Sequence, residues 1–499
     1  MTHAVPEPIR RAARTTPDSV ALVDMCQSDS PVRLTYRELD EFVGFFSASL
    51  RRAGVAAGVR VAVIAPAGFG WVVAAHALLR LRAVIVPINL RLTEFEMSAL
   101  LDQAAVGFVV HHSDTAELAR TVSGKRPSVS LPTSGGDEVG FGGFDGTSWL
   151  DLHSPASVFF TSGTSGVAQG ATHDFGAWWH GALASAQHLG HAASDAWLLP
   201  MPLYHVGGYA ILIRAAIAAI PIVLTPKFDP EQIARTIRSE NVTLTSFVPT
   251  MLQDMLQVPE FQCGALRTVL LGGAAAGSDL IHAALERGIP VSPTYGMTET
   301  ASQIATLPPR EVPTRERLSG RPLPHMAVAV ADGDSAAAVG EGELLVRGLS
   351  LMTGYLGRPA LDRDTWFPTG DMGIIDDRGY VQLLDRRTDL IISGGENIYP
   401  AELEERLRAI PGVAAACVVG VPDSRWGSVP GAMLIAVNGV DPAEVDILAA
   451  LAGTVAPFKM PKHIRWVNDF PTTSSGKILR REMQMTLVEE LSEKGRRPG

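Results

Sequence analysis

Six residues, Thr161-Ser162-Gly163-Thr164-Ser165-Gly166, set two glycines among four hydroxyls directly after the apolar run Val158-Phe159-Phe160. That composition suits an anion. Glycine permits φ > 0 and leaves no Cβ in a ligand's way, backbone N–H groups in such a turn converge on negative charge, and the hydroxyls add donors. Taken alone, the stretch reads equally well as a polar surface turn, and it lacks the Gly-Lys-Ser/Thr that closes a Walker A loop. A second stretch, Tyr295-Gly296-Met297-Thr298-Glu299-Thr300, puts one carboxylate among small and hydroxyl residues. Mg²⁺ takes such an oxygen ligand and shares it with substrate phosphates; the plain alternative is a first-turn glutamate at a helix N-terminus. Upstream, Gly272-Gly273-Ala274-Ala275 permits close backbone approach to a flat ligand. Thr369-Gly370-Asp371 sets a carboxylate on a tight turn, where it could accept two ribose hydroxyls, although an ordinary β-turn aspartate is the commoner reading. Each by itself, Arg386 is a solvated arginine, Ser393-Gly394-Gly395-Glu396-Asn397 a glycine turn, and Lys477 of Ser474-Ser475-Gly476-Lys477 a surface lysine before a helix.

The elements that must carry these residues alternate between strand and helix. Thr35 and Glu38 form a capping box, opening a helix that runs to Gly54, a left-handed C′ candidate. Val61–Ile64 reads as a strand, Gly70–Leu81 as a helix, and Ala83–Pro87 and Phe108–His111 as strands; this order implies parallel pairing in an α/β layered fold. Lys125–Ser154 reads as a surface connection. Beyond the hydroxyl-glycine loop, Phe175–Leu189 is a helix, and Trp197–Leu203, Ile222–Leu224, Leu244–Phe247 and Val269–Leu271 are strands between helices, a second α/β unit. After Arg347 the composition changes. A hairpin is expected over Gly373–Leu384, turning at Asp376–Gly379. A charged run, Asp385–Asp389, then leads into a compact α+β module. Its elements are a helix Ala401–Ala409 with Pro400 at N1, a strand Ala416–Val419, a helix Pro442–Val455, a strand Ile464–Val467 and a terminal helix from about Lys477.

At 499 residues, 46% apolar and 19% charged, the chain can bury a sizeable core. Its net charge of −10 argues against a nucleic-acid or anionic-membrane surface. Three widely spaced cysteines, Cys26, Cys263 and Cys417, form neither a disulfide framework nor a zinc pattern, which fits a reducing cytoplasm. Met1–Arg14 has no signal-peptide pattern. The run Tyr209–Leu224, broken by Arg214 and Pro221, reads as a buried helix followed by a strand, not a membrane span.

The order and spacing of the five motifs resemble the adenylate-forming superfamily of acyl-CoA synthetases, luciferases and carrier-protein-loading adenylation domains, over nearly the whole chain. The resemblance implies a large N-terminal domain, residues 1–387, built of layered α/β subdomains, and a small mobile α+β lid, residues 388–499, with the hinge near Thr388. It implies an ATP-dependent, AMP-forming acid–thiol ligase using ATP, Mg²⁺ and coenzyme A. Thr161, Ser162, Gly163, Thr164, Ser165 and Gly166 would hold the pyrophosphate end of ATP. Tyr295 would stack on adenine beside Gly273, Ala274 and Gly296. Thr298 would touch the α-phosphate, Glu299 would ligate Mg²⁺, and Asp371 and Arg386 would bind the ribose. Lys477 would reach the substrate carboxylate and α-phosphate, and Ser393, Gly394 and Gly395 would line the thiol tunnel.

The family's phosphate loop usually ends Gly-x-Pro-Lys-Gly, whereas here it reads Gly166-Val167-Ala168-Gln169-Gly170. A missing cation beside the phosphates leaves an ATP-binding pseudoenzyme as the competing reading. Leu203–Gly208 falls where the family builds its acyl pocket, with His205 as wall or gate over the reacting carboxylate, or as a plain core histidine. No aspartate stands near it to pair an α-ammonium, which disfavours amino acids. Trp178-Trp179, Phe228–Glu231, Gly296–Gln303 and Asp389–Glu402 are similar to the 2-succinylbenzoate–CoA ligases of menaquinone biosynthesis. Trp178, Val248, Pro249, Thr250 and Ser302 are the further pocket candidates, each also readable as packing. Other aryl or medium-chain acyl-CoA ligases and a stand-alone carrier-loading adenylase are the alternatives. The expected partners are small molecules, with no nucleic acid and no membrane insertion; a homodimer is compatible with the sequence.

Overall fold

The computed structural model describes residues 3–26, 31–92, 94–133, 149–161, 169–259, 261–273, 276–333, 335–386, 391–393, 396–398, 400–423, 426–452, 454–455, 457–473 and 478–494. The chain resolves into two compact units, Met1–Val328 with Val346–Phe367, and Ala329–Leu345 with Pro368–Gly499.

The first unit is built on two mixed sheets. Strands Arg60–Ile64, Val84–Pro87 and Phe108–His111 run parallel, with Val61 opposite both Ile85 and Phe108. The helix Phe69–Arg80 makes the crossover that parallel pairing needs. Val61 and Val63 join one apolar cluster while Ala62 and Ile64 join another, so both faces of the sheet are buried. The sheet continues through Pro155–Thr161 to the antiparallel strand Gln169–Asp174 and the short edge Gly354–Tyr355. In the nine-stranded sheet, Val291–Met297, Thr268–Leu271, Leu244–Phe247, Trp197–Leu199, Ile222–Leu224 and Val20–Asp24 are successive parallel neighbours.

Every residue of Phe69–Arg80 is buried, as is nearly all of Val206–Ala218. Helices apolar on all sides belong in an interior. Here one cluster joins them to Val61 and Val63 of one sheet and to Trp197, Leu199, Ile222 and Leu224 of the other. The capping box at Thr35 and Glu38 forms, and its helix Tyr36–Arg52 ends before Gly54 at φ +100°. Among the described residues no helix is long and apolar enough to cross a membrane.

Two expectations change. Lys125–Ser154 is not all connection: Ser128–Ser130 extends the first sheet beside Phe108–His111, and Trp149–Asp151 pairs with Ala4–Pro6. The helix expected over Pro442–Val455 is a 3₁₀ turn, Pro442–Glu444, and a short helix, Ile447–Leu451. Asp441 and Asp446 each cap their own turn, accepting from Ala443 N (2.9 Å) and Ala449 N (3.0 Å). Val445 between them is extended, a conformation that suits its β-branched side chain.

The second unit contains most of a five-stranded sheet, whose outer pairings, Met326–Asp332 with Ser335–Ala337 and Phe367–Ile375 with Val381–Arg386, are antiparallel, and the α+β module. In the sheet, the hairpin Phe367–Ile375 and Val381–Arg386 turns where expected. The carboxylate of Asp376 accepts from Arg378 N (2.9 Å) and Tyr380 N (2.8 Å) and so shapes the turn. This hairpin groups with the C-terminal module, whereas the resemblance implied a boundary after it, near Thr388; residues 387–390 lie outside those described. In the module, Arg480 pairs with buried Glu404, which also accepts from Val418 N (2.7 Å). This ion pair joins helices Pro400–Arg408 and Arg480–Lys494 to the strand Val413–Asp423.

Candidate active site

Most described candidates of the first unit gather at the carboxyl ends of neighbouring parallel strands, where open α/β sheets form ligand crevices. Phe247, Leu271 and Pro293 are level across the sheet, so Val248, Gly272 and Thr294 follow side by side. A Cβ on Gly272 would come within 2.8 Å of Thr294 Cγ2. Gly273 adopts φ +81°, and a Cβ there would stand 3.1 Å from Val248 Cγ1. Bare backbone is therefore presented at the strand ends. Pro249 opens the next helix, half-buried, and Thr250 is exposed.

The strand Val291–Met297 then runs into a 3₁₀ turn, Thr298–Thr300, and back along Ser302–Thr306. The pairing is irregular between Tyr295 and Gly296, and a Cβ at Gly296 would fall 1.9 Å from Ser302 O, so only glycine fits. Ala301 (φ +50°) and Ser302 (φ +103°) complete the turn in conformations that L-residues rarely adopt, and strain of this kind collects at functional sites. The Thr300 hydroxyl bridges the turn, accepting from Met297 N (3.3 Å) and meeting Met297 O and Ser302 O at 3.1 Å. Tyr295 is buried, with Gly296 exposed beside it.

Glu299 sits on this turn, 8% exposed. Its Oε1 accepts from the Tyr355 hydroxyl at 2.7 Å, and its backbone carbonyl accepts from Met352 N at 2.7 Å. Burial, and then the nearby carboxylate, push the Tyr355 phenol up, so it stays a donor. The Thr298 carbonyl accepts from His173 Nε2 at 2.8 Å. Burial holds His173 down at about 4, leaving the ring neutral. The sequence reading did not single out His173 or Tyr355. His173 is one of the inward-facing residues of Gln169–Asp174, a pattern any core histidine shares, and no spacing links Tyr355 to Glu299.

Thr161 ends its strand opposite Gln169, and its hydroxyl donates to Gln169 O at 3.3 Å. The strands on either side of the hydroxyl-glycine stretch, Pro155–Thr161 and Gln169–Asp174, pair antiparallel; Ser162, Gly163, Thr164, Ser165 and Gly166 lie outside the described residues, as does Ala274. His205 precedes the helix Val206–Ala218, half-buried, its ring 4.6 Å from that of Tyr204. Its buried Nε2 has no partner among the described residues, and burial lowers it to about 4. Trp178 is placed differently from expectation. It is 2% exposed, and its Nε1 donates to Ser157 Oγ at 2.9 Å, which makes it core packing between the sheets and not pocket wall.

In the second unit, Asp371 is 7% exposed and its backbone pairs directly with that of Arg386. The Thr369 hydroxyl accepts from Asp371 N at 3.1 Å. Ser393 is buried in a strand opposite Gly427. Gly394, Gly395 and Lys477 lie outside the described residues.

Glu299 satisfies the demands of a magnesium ligand. It is a hard oxygen donor, and among the described residues only its Oε1 is held, by the Tyr355 hydroxyl. Mg²⁺ does not need an all-protein cage, since it is commonly held by one or two carboxylates together with substrate phosphates and water; among the described residues there is no group of three or more His, Cys, Asp and Glu that could hold a metal.

Known proteins agree with this geometry. Residues 9–356 match the family described as AMP-binding enzyme, and residues 402–477 match the AMP-binding enzyme C-terminal domain. The 2-succinylbenzoate–CoA ligase of Bacillus cereus is 35% identical over 98% of this chain and 100% of its own. That of Geobacillus kaustophilus is 36% identical over 96% and 97%. The structure of o-succinylbenzoate CoA synthetase (MenE) from Bacillus subtilis in complex with the acyl-adenylate intermediate OSB-AMP superposes with a TM-score of 0.87 at 30% identity, covering 96% of this chain and 98% of that one. ATP-bound MatB from Rhodopseudomonas palustris gives 0.85 at 26% identity, covering 97% and 99%. With both parts of the family pattern present in order, and with Gly272, Gly273 and the turn bearing Glu299 following neighbouring strands, the chain belongs to the AMP-binding enzyme family, within the adenylate-forming superfamily.

Proposed function

We propose that this protein is an AMP-forming 2-succinylbenzoate–CoA ligase. The observation that carries the reading is buried Glu299, pinned through one oxygen by Tyr355 on a turn beside exposed backbone at Gly273 and Gly296. The relatives named for this activity, matched along 96% or more of the chain, support it.

In the first half-reaction an oxygen of the acid attacks the α-phosphorus of ATP. The α–β bridging P–O bond breaks, pyrophosphate leaves, and acyl-AMP forms. Attacker and target are both anionic, so the protein's task is positioning and charge neutralisation. Thr161 and the loop Ser162–Gly166 hold the pyrophosphate end. Gly273, Ala274, Tyr295 and Gly296 form the adenine slot, and Thr298 contacts the α-phosphate. Asp371 and Arg386, paired across one hairpin, take the ribose. Glu299 would hold the magnesium ion, which would offset phosphate charge. Lys477 neutralises the reacting carboxylate and α-phosphate. In the second half-reaction the CoA thiol loses its proton, sulfur attacks the acyl carbonyl carbon, and AMP departs. Ser393, Gly394 and Gly395 line the thiol's path after the lid, hinged near Thr388, has turned. His205, Val248, Pro249, Thr250 and Ser302 surround the acid. The enzyme works in the cytoplasm, and a homodimer is its proposed assembly.

Acid-dependent ATP–pyrophosphate exchange tests the reading. Exchange with 2-succinylbenzoate above aryl and medium-chain acids is expected, followed by CoA thioester formation. Exchange only with other acids would reassign the substrate. No exchange with any acid would favour the ATP-binding pseudoenzyme, the reading that Gln169, at the position of the usual loop lysine, keeps in play.

A further inference from the structure

We propose that His173 is a positioning residue for the magnesium-bearing turn, the last link of a one-way hydrogen-bond relay that runs from Trp178 through Ser157 and His173 to the Thr298 carbonyl. The proposal rests on the assignment of Thr298 and Glu299 to the ATP–Mg²⁺ site. Trp178 Nε1 lies 2.9 Å from Ser157 Oγ, Ser157 Oγ 3.4 Å from His173 Nδ1, and His173 Nε2 2.8 Å from Thr298 O. Trp178, Ser157 and His173 are each no more than 2% exposed.

The two ends of the relay determine its direction. An indole N–H can only donate and a backbone carbonyl can only accept. Trp178 therefore makes Ser157 Oγ an acceptor, which leaves the hydroxyl proton for His173 Nδ1. With Nδ1 accepting, the ring proton of the neutral imidazole is on Nε2 and points at Thr298. A side chain's tautomer is set by the partner of its other nitrogen, and here that partner is itself set by a core tryptophan. The ring of Trp178 also packs on His173, with centroids 5.2 Å apart, which restrains the imidazole plane.

Thr298 needs such a hold. Its neighbours Ala301 and Ser302 are in rarely adopted backbone conformations, and Glu299 is the next residue. Tyr355 fixes the Glu299 carboxylate and Met352 N fixes its carbonyl. Within the turn the Thr298 carbonyl also accepts from Ala301 N at 3.2 Å, and His173 adds a second, shorter clamp on the same oxygen from a different sheet. Loss of this clamp lets the turn relax and Glu299 leave the position at which it meets the metal, so ATP binding without metal changes little while the gain from metal shrinks.

The test is calorimetric binding of ATP with and without Mg²⁺, on the full chain, for wild type, Glu299→Gln, His173→Leu and His173→Gln. The gain in ATP affinity on adding Mg²⁺ is expected to fall about tenfold in His173→Leu, the equilibrium equivalent of one lost buried hydrogen bond. His173→Gln should recover most of it, because an amide N–H can reach the same carbonyl, and KM for the acid should be unchanged in both. A histidine with only a structural role would lower Tm and leave the metal-dependent gain intact; that result, with the gain lost in Glu299→Gln, overturns the proposal alone. A full gain in Glu299→Gln would instead overturn the site assignment and the proposal with it. Should His173→Leu fail to fold, Ser157→Ala, expected to cut the gain about threefold by loosening the ring, is judged by the same criterion.

Discussion

Glu299 is restrained at side chain and backbone, and each restraint makes a separate statement about the reaction. A carboxylate bonded to a phenol through one oxygen presents the other in a set direction. Glu299→Gln keeps the shape and removes the charge, so the Mg²⁺ concentration for half-maximal pyrophosphate exchange should rise sharply; an unchanged Mg²⁺ dependence would remove Glu299 as a ligand. Tyr355→Phe leaves the carboxylate charged but free to swing. A loss of about ten- to a hundredfold in kcat/KM for ATP is expected, the worth of one hydrogen bond to a charged group, read by exchange kinetics at fixed magnesium. Glu299 is legible in the sequence because it stands alone among small residues. Tyr355 is not, since it reaches Glu299 only after the segment Met352–Leu356 has joined the edge of another sheet, with Met352 N on Glu299 O and Leu356 N on Gly170 O.

At the scale of elements, the turn after Val291–Met297 depends on Gly296 having no side chain. Gly296→Ala would drive a Cβ into the Ser302 carbonyl, 1.9 Å away, which is backbone and cannot swing aside. Overpacking of this kind costs about 1–3 kcal/mol, to be measured by urea unfolding, with exchange activity lost in step. Helices and strands whose ends carry local signals were readable in advance: Phe175–Leu189 and Phe108–His111 fall at the expected residues. Pro442–Val455 was misread because two aspartates each start a turn there, and a hydrophobic pattern does not register competing caps. Trp178 illustrates the converse. Beside Trp179 it reads as a pocket wall, yet an apolar pattern alone does not say whether a helix faces a ligand or another sheet, and this one faces the core.

For the whole molecule, the proposed ribose pair and lysine belong to the second unit and the proposed magnesium turn to the first. If the two half-reactions use different arrangements of these units, Lys477→Ala should cripple adenylation while sparing thioester formation from supplied acyl-AMP. Equal loss in both steps would contradict that division. Buried neutral histidines also make stability depend on pH. Burial holds His76 down at about 3, and His191 and His205 at about 4, against an ordinary value of 6.5. Between pH 6.5 and about 4 the unfolded chain binds protons that the folded chain does not, so stability is complete above 6.5 and falls as pH drops through that window. Melting temperatures measured from pH 7.5 to 4.5 should decline below 6.5; a flat profile would show these rings to be protonated in the folded state.

Local chemistry is what the sequence settles unaided here. Glycines at turns, a capping box at Thr35, alternating strand and helix, and the order of five motifs each depend on residues close together in the chain, and they carry the α/β class and the superfamily. Tertiary structure alone decides which of those residues act on one another. The pairing of Asp371 with Arg386 is a matter of strand register, the hold of Tyr355 on Glu299 of an edge strand's place, and the His173 contact with Thr298 of how one sheet lies against the next. The hairpin that carries Asp371 and Arg386 is legible in the sequence, but the register shift between Met372 and Gly373 that sets them opposite is not; the other two contacts join residues 56 and 125 positions apart, and no spacing in the sequence encodes them.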